Sequence, residues 1–517
     1  MEYFDTSLNL LVSNEFVNKE IEQTPTCSFE SFKEKLPQPI WEHHSAEIEA
    51  YWQAWKIAHK NIANPSANSG FVSAFIDTAF NDCIFMWDSC FILFFAKYAS
   101  AAVHLQKTLD NFYAKQHKDG YISREINYRN GEEKFFKFDY SSTGPNILAW
   151  CEWNYFLHTH DLGRLNKVLS PLMAYHRWMS MNRTWQNGSY WNTGWGGGMD
   201  NQHRSNYSIL CNFGSAHHHA WLSAIDATAQ ALVSAEIIIK MAHAAGSDLD
   251  ISDIKSESLR LREFIESKMW DANKNFYFDV NRDGEQGKVM TVGAYWLLLS
   301  ELLDPTRRSI MVEKLMDEKH FKRYHRVPSV SASDPQFDSL GAYWLGGVWA
   351  PTTYMVLKGL HQNKCYQLEY EIARNHFEKV IEVYKSTGTF WEFYAPDSSE
   401  IGGGGKDDAN ENRPYKPRSE FVGWSGLAPI AILIENIFGI QIDAVNNQVQ
   451  IYCQELQAHG IKKLPFGNNG FINVFVDQRQ SGNEEPSVVV ESKLDLSIKI
   501  LWDDGHRFKV IPSIMIN

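Results

Sequence analysis

The chain has 517 residues, a net charge of −13 and 14% aromatic residues, among them 18 Trp, 22 Tyr and 31 Phe. Such a length asks for one large domain with one or two small ones. The acidic balance argues against nucleic acid as the main partner, because phosphate binding needs clustered Lys and Arg.

Residues 1–40, with turn formers at Pro25, Pro37 and Pro39, read as an N-terminal arm that is irregular or partly stranded. From 41 to 440 the pattern is helical. Candidate helices fall near 42–62, 85–97, 99–117, 146–160, 163–182, 218–245, 256–270, 289–303, 306–317, 347–362, 365–387 and 421–437. In the helix at 218–245, Leu222, Ile225, Ala229, Leu232 and Val233 follow helical spacing, and Gly246 stands where a helix stop belongs. Long aromatic-rich segments at 119–145, 183–217, 319–346 and 388–420 separate several helices, and long loops in compact domains tend to carry function. Twelve helices with elaborated loops fit a mainly α fold: six helical hairpins closed into an (α/α)6 toroid, with the loops gathered at one mouth. After 441 the period changes to two. Leu494, Leu496, Ile498, Ile500 and Trp502 alternate with Asp495, Ser497 and Lys499, which predicts a small C-terminal antiparallel β-sheet or sandwich over 441–517.

The chemistry concentrates in Trp191–Arg204, WNTGWGGGMDNQHR. Three successive glycines let backbone approach a ligand closely. Trp191 and Trp195 offer flat apolar faces with an N–H at the edge, suited to sugar rings. Asp200 among such groups would be desolvated, which raises a carboxyl pKa and suits it to donate a proton. Three other stretches share this mixture of rings and carboxylates. They are Trp87 and Asp88 in FMWDSCF; Tyr121, Arg124 and Glu125 in DGYISREIN; and Trp391, Glu392, Tyr394 and Asp397 in TGTFWEFYAPDS. Two carboxyl groups flanking a bond are the minimal machinery of glycoside hydrolysis. Asp200 and Glu392 are the best-placed pair. The competing reading of any one such acid is a loop brace that accepts backbone N–H bonds.

The motifs, taken in order, resemble the trehalase and glucosidase clan of inverting glycosidases, glycoside hydrolase families 37 and 63, with the bacterial family-63-like members closest. MWDSCF is similar to the clan's WD-aromatic motif, GYISREI to GWIPREQ and GGGMDNQHR to SGMDNSPR. GGVWAPTTYMVLKGL is similar to GPIWPPINYLVLRGL, FWEFYAP to the E-x-Y segment, and FVGWSGLAPIAILIENIFGI to the last barrel helix. The resemblance implies the six-hairpin barrel and an exo-acting, inverting α-glycosidase of α-glucosidase or α-mannosidase type. By position, Asp200 would be the general acid and Glu392 the general base. Trp87, Asp88, Arg124, Glu125, Trp349 and Trp424 would surround the sugar being released, with Tyr121, Trp195, Asn201, Arg204, Trp391 and Tyr394 also facing substrate. Ser123, Ile126 and the QHR at 202–204 depart from the family pattern, which touches substrate choice more than the acid and base.

A small-molecule carbohydrate is the expected partner, and no cofactor or metal is expected. DVNRDG at Asp279–Gly284 starts like a calcium loop but has Met290 at position twelve instead of Glu, and reads as a turn. His217, His218 and His219 are adjacent and cannot converge on one metal. The glycine-rich 401–408 lacks the Lys-Ser/Thr of a phosphate loop and reads as a flap near Glu392. Seven scattered cysteines without a CxxC pair (Cys27, Cys83, Cys90, Cys151, Cys211, Cys365 and Cys453) read as reduced, mostly buried thiols. The apolar runs are far too short to cross a membrane, and the N-terminal residues lack a signal-peptide pattern, so a cytoplasmic location is expected. The alternatives on the same toroid are a phosphorylase, an epimerase, a lyase, or a sugar-binding protein without activity.

Overall fold

The structure is a computed structural model and describes residues 10–77, 81–204, 217–403 and 416–516. Its helices are α1 (Phe29–Lys33), α2 (Ser45–Lys60), α3 (Met86–Ala96), α4 (Thr108–Ala114), α5 (Leu148–Thr159) and α6 (Leu162–Asn182). They continue with α7 (Gly194–Gly197), α8 (Ile225–Ala244), α9 (Ser252–Phe264), α10 (Pro305–Val312), α11 (Ala350–Gln362) and α12 (Tyr366–Thr387). A 3-10 helix, Val292–Leu299, lies between α9 and α10, and a final helical segment runs from Trp424 to Ile437.

Six of these elements touch in succession: α3, α5, α8, Val292–Leu299, α11 and Trp424–Ile437, the last returning to α3. Their sequences explain the placement. Every residue of α3, MWDSCFILFFA, is buried, and an all-round apolar helix has to be enclosed on all sides. By contrast α12 is amphipathic. It buries Leu368, Ile372, Phe377, Val380 and Ile381 and turns its charged face to solvent. It packs on α11, while α2, α4, α6 and α9 pack on the final segment, α3, α5 and α8 respectively.

The predicted helices differ from the observed ones where backbone chemistry intervenes. The expected helix at 99–117 begins only at Thr108, because the chain first turns out of the inner set through 100–104. The stretch expected at 289–303 is a tight 3-10 helix, with Leu298 seated where a side chain on Gly359 would otherwise stand. The last helix is widened over Ala428–Ile437, with Pro429 removing an early N–H. The helix expected from 218 starts at Ile225, since Ala220 and Trp221 have positive φ, which no helix accepts.

The arm supplies the strand β1 (Gln38–Trp41). Short strands brace the loops: β2 (Ile62–Ala63) with β3 (Phe75–Ile76), and β4 (Cys83–Phe85) with β5 (Glu125–Asn127). Of β6 (Leu222–Ser223), β7 (Trp270–Asp271), β8 (Phe276–Tyr277) and β9 (Val280–Asn281), the outer two pair and the inner two pair. The C-terminal strands are β10 (Ile440–Asp443), β11 (Gln448–Tyr452), β12 (His459–Phe466), β13 (Gly470–Val476), β14 (Val488–Ser492), β15 (Ser497–Trp502), β16 (Arg507–Pro512) and β17 (Ile514–Met515). They form two sheets, β1-β12-β13-β14-β17 and β10-β11-β15-β16. The antiparallel expectation is corrected here: β11 pairs β15 in parallel, and β14 pairs β17 in parallel. Between β11 and β15 the chain crosses to the other sheet and comes back, so it re-enters in the same direction.

No described helix is long and apolar enough to cross a membrane. The described cysteines are unbridged. Cys211 and residues 404–408 of the glycine-rich stretch lie outside the described residues.

Candidate active site

The N-terminal ends of α3, α11 and the final segment face one cavity of about 340 Å³, a size suited to a small ligand. Its walls include Trp87, Asp88, Arg124, Glu125, Trp195, Asp200, Trp349, Glu392 and Trp424. They also include four side chains that the sequence reading did not name: Phe135, Tyr343, Trp344 and Arg418.

Asp200 arrives through α7. Thr193 caps that turn, its Oγ1 accepting the Gly196 N–H at 2.9 Å, and Gly198 ends it at φ +76°. A Cβ on Gly198 would stand 3.2 Å from the Trp87 ring, so glycine is what lets the turn lie against the pocket floor. Asn201 then fixes the loop: its Nδ2 donates to Ala342 O at 3.1 Å and its Oδ1 accepts the Trp344 N–H at 2.8 Å. Arg204 is buried between Asp226, at 2.8 Å, and Asp279, whose Oδ2 accepts from Nε at 2.8 Å. Asp279 also accepts the Ile225 N–H at the head of α8. Arg204 thus ties the acid-bearing loop to the inner helices, and the first residue of the calcium-like DVNRDG is occupied by that tie.

Asp88 and Trp87 stand in the first turn of α3. The Asp88 Oδ1 is buried and has no hydrogen-bond partner among the described residues. β5 crosses this turn, with the Met86 N–H donating to Arg124 O at 2.8 Å, and so places Arg124 and Glu125 over it. The Arg124 guanidinium lies over Phe135 at 4.6 Å and Trp195 at 5.8 Å, and its Nε donates to Ser141 O at 2.7 Å. The Trp195 ring meets His217 at 3.7 Å.

Glu392 follows α12, which ends at Gly388 in the left-handed region. Arg418 holds it on three sides. The Glu392 N–H donates to Arg418 O at 3.1 Å, the Arg418 N–H donates to Oε2 at 3.2 Å, and the guanidinium donates to Oε1 at 2.5 Å. The Trp424 Nε1 donates to Glu392 O at 2.8 Å. Opposite, Trp344 stacks flat on Trp349 at 4.0 Å, and Trp349 on Phe393 at 4.5 Å. Tyr343, held at φ +61°, donates from its hydroxyl to Asp200 Oδ2 at 3.4 Å. A bulky residue in that region is strained, and such strain clusters at functional sites.

Burial pushes the Asp200 carboxyl up to about 6, against the pull of Arg124 and the Tyr343 hydroxyl. Burial also pushes Glu392 up to about 7, against Arg418, with Asp200 adding to the rise. Asp88 is raised well above the carboxylate range by burial and by Glu392. Glu125 is raised by burial, with Arg124 opposing. The two values do not rank Asp200 as the better acid. Glu392 accepts from a guanidinium and a backbone N–H and Asp200 from the Tyr343 hydroxyl, and each of these contacts favours the ionised form. Two such groups share their protons, and with values of about 6 and about 7 the pair holds about one near pH 6.5.

Five residues expected to face substrate are not among those lining the cavity. Tyr121 is buried behind it, its hydroxyl donating to Ser142 O at 3.3 Å and its ring on Trp178. Asn201 and Arg204 spend their polar atoms on the bonds above. Trp391 donates its ring N–H to Thr387 Oγ1 at 3.0 Å, and its carbonyl accepts the Ser425 hydroxyl. Tyr394 pairs its backbone with Val348 in both directions, and its hydroxyl accepts the Trp391 N–H at 3.3 Å. Asp397 is bonded to Arg323. Of the residues not named from sequence, Tyr343 and Trp344 had a signal, an aromatic pair just ahead of GGVWAPTTYMVLKGL. Arg418, in YKPRSEF, had none.

Residues 83–415 match the family of the mannosylglycerate hydrolase MGH1-like glycoside hydrolase domain. The chain belongs to this family. This MGH1-like chain is a glycoside hydrolase. An uncharacterized protein of Borreliella burgdorferi is 24% identical over 393 residues, 75% of this chain and 78% of that protein. A probable mannosyl-oligosaccharide glucosidase of Schizosaccharomyces pombe is 26% identical over 196 residues, 35% of this chain and 22% of that protein. The family 63 mannosylglycerate hydrolase of Thermus thermophilus, solved with glucose, shares the fold at TM-score 0.57 and 18% identity, over 74% of this chain and 99% of that one. Neutral trehalase Nth1 of Saccharomyces cerevisiae shares it at TM-score 0.51 and 12% identity, over 70% and 74%.

Proposed function

We propose that this MGH1-like hydrolase is an exo-acting, inverting α-glycosidase on an (α/α)6 toroid over about 41–440, with the arm and the C-terminal sheets packed around it. The six elements touching in succession support the toroid. The observation that carries the activity is a pair of buried carboxyl groups, Asp200 and Glu392, both raised by desolvation and both facing one tryptophan-lined cavity.

In this reading Asp200 gives its proton to the glycosidic oxygen as the bond breaks. Glu392, oriented by Arg418, takes a proton from the water that attacks the far face of the sugar. The sugar leaves with inverted configuration. Such chemistry calls for carboxyl groups roughly 6.5–9.5 Å apart, leaving room for the water. Trp87, Trp349 and Trp424 exclude solvent around the sugar, and Asp88 and Glu125 offer acceptors to its hydroxyls. Tyr343 steadies Asp200. Arg124, Lys134 and Arg418 line the same cavity and favour a small aglycone bearing a carboxylate. The substrate is then an α-glucoside or α-mannoside of a hydroxy acid such as glycerate. The free thiols fit a reducing, cytoplasmic setting.

A phosphorylase is the one alternative with a specific observation behind it, since Arg418 beside Glu392 could seat phosphate where water would attack. A hydrolysis screen of α-linked disaccharides and glycosyl-glycerates, with and without phosphate, followed by NMR of the fresh anomer, separates them. The proposal expects phosphate-independent release of the β-anomer. Phosphate dependence, or an α-anomer appearing first, would overturn it.

A further inference from the structure

A second cavity, about 360 Å³, lies at the opposite end of the inner helices, where α3, α5, α8 and α11 finish and β10 and β11 pass over them. Nothing in the glycosidase reading uses it. Three features make it a built site.

The first is a buried charge imbalance. Lys97 and Lys358 both pair with Glu435, at 3.0 and 2.9 Å. The side chains of Lys97 and Glu435 are 6% and 2% exposed. One carboxylate therefore serves two ammonium groups.

The second is that Glu435 is saturated. Its Oε1 accepts from Lys97 and from the Tyr98 hydroxyl at 2.8 Å, and its Oε2 accepts from Lys358 and from the Tyr354 hydroxyl at 2.8 Å. All four lone-pair positions are filled. Each ammonium has one further partner among the described residues, Asn154 for Lys97 at 2.8 Å and Gln441 for Lys358 at 3.3 Å. With three donors each, both retain a proton to offer.

The third is His158, which lines the cavity at 4% exposure and whose Nε2 has no hydrogen-bond partner among the described residues. A buried polar atom left in this way marks a place for something that completes it. The carbonyl ends of the inner helices make lysines welcome at this mouth. They account neither for the open volume nor for His158.

We propose that this far cavity binds a small oxyanion, a carboxylate or a phosphate, held between the spare protons of Lys97 and Lys358 and the His158 ring. Of the other charged groups on the walls, Lys240 and Glu301 pair with each other at 2.7 Å and Asp443 is half-buried and bonded to Asn446, so the positive excess is local to the buried Lys97–Glu435–Lys358 cluster, where it favours an anion over a neutral sugar. Occupation completes the polar groups beneath the inner helices and ties them to the sheet above, so the bound form is the more stable one.

The test is isothermal titration of the full-length protein with sodium phosphate, sodium acetate and, as a neutral control, mannose. A 1H–13C spectrum of histidine-labelled protein would follow His158. One anion per chain is expected, with the His158 signals moving and glycosidase activity unchanged in saturating anion once competition at the active site is corrected for. Lys358→Gln should weaken binding at least tenfold. So should Gln450→Trp, which fills the half-buried rim from β11 without touching the buried charges. Arg418→Met should leave this binding intact. Binding by phosphate alone would make the site a phosphate site, and binding by acetate as well a general carboxylate one; either supports the proposal. It fails if neither anion moves His158, if mannose binds equally well, or if the heat survives both far-cavity substitutions and is lost in Arg418→Met.

Discussion

Two glutamates of this chain are equally buried and titrate in opposite directions. Glu392, at 1% exposure, is pushed up to about 7, while Glu435, at 2%, is driven far below the usual range. Both lose water, and for both that loss is the largest single influence, acting upward. The difference lies in what faces them. Glu435 has two ammonium groups and two hydroxyls on its four lone pairs. Glu392 has one arginine, itself 45% exposed, and shares its cavity with Asp200 and Asp88. One end of the inner helices keeps its carboxylate ionised and fixed, and the other keeps its carboxyls poised to exchange protons. Burial alone therefore does not announce a catalytic acid; burial with too few partners does.

The largest expected effect sharpens the poised end. Asp200→Asn and Glu392→Gln each should lower kcat by about a thousandfold or more, roughly 4 kcal/mol of transition-state stabilisation, with folding and substrate binding retained. Steady-state kinetics on an α-glycoside checks this, and near wild-type turnover in Glu392→Gln would move the base to Asp88 or Glu125.

The next effect concerns the fixed end. Glu435→Leu leaves two buried ammonium groups without their carboxylate and should cost about 3 kcal/mol of stability. Urea unfolding measures it. Stability within a few tenths of wild type would mean the lysines reach solvent and the cluster is not what closes this mouth.

The two glutamates should also differ in the sign of their effect on stability. A carboxyl whose folded pKa is raised favours the native state when protonated. Its contribution is present below the unfolded value near 4.5 and is lost as pH rises through about 7. Removing the charge should then help at high pH. Glu392→Gln should be more stable than wild type by about 1–2 kcal/mol at pH 8 and equal to it at pH 4. Unfolding curves at the two pH values decide, and a mutant less stable at pH 8 would show that the Arg418 pair outweighs desolvation.

The smallest effect is the shape of the pH profile. With pair values of about 6 and about 7, the singly protonated state peaks near pH 6.5. kcat/KM should fall only about two- to threefold one unit to either side and steeply beyond. A flat profile between pH 5 and 8 would contradict the poised pair.

The same contrast explains what the sequence reveals. Periodicity locates every long helix, because helix burial is written in local spacing: the all-apolar α3 and the striped α12 are both legible. Asp200 and Glu392 are legible because each sits in a run of aromatics and glycines. What escapes is pairing between distant segments. Arg418 reaches back 26 positions to Glu392, and Arg204 reaches 75 positions to Asp279, so nothing local marks Arg418, while Arg204 reads from sequence as a substrate ligand. The Lys97–Glu435–Lys358 cluster joins three helix ends and leaves no mark in any one of them. The parallel pairings of β11 with β15 and β14 with β17 are hidden for the same reason, since alternation gives a strand's face and not its neighbour.

The most direct test of the central claim uses a substrate that needs no proton to leave. On the glycosyl fluoride of the correct anomer, loss of the acid should be partly forgiven and loss of the base should not, because water still has to be activated. The ratio of fluoride to natural-substrate turnover should therefore rise well above wild type for Asp200→Asn and stay near wild type for Glu392→Gln. Equal deficits in both variants on both substrates would contradict the assignment of Asp200 as acid and Glu392 as base.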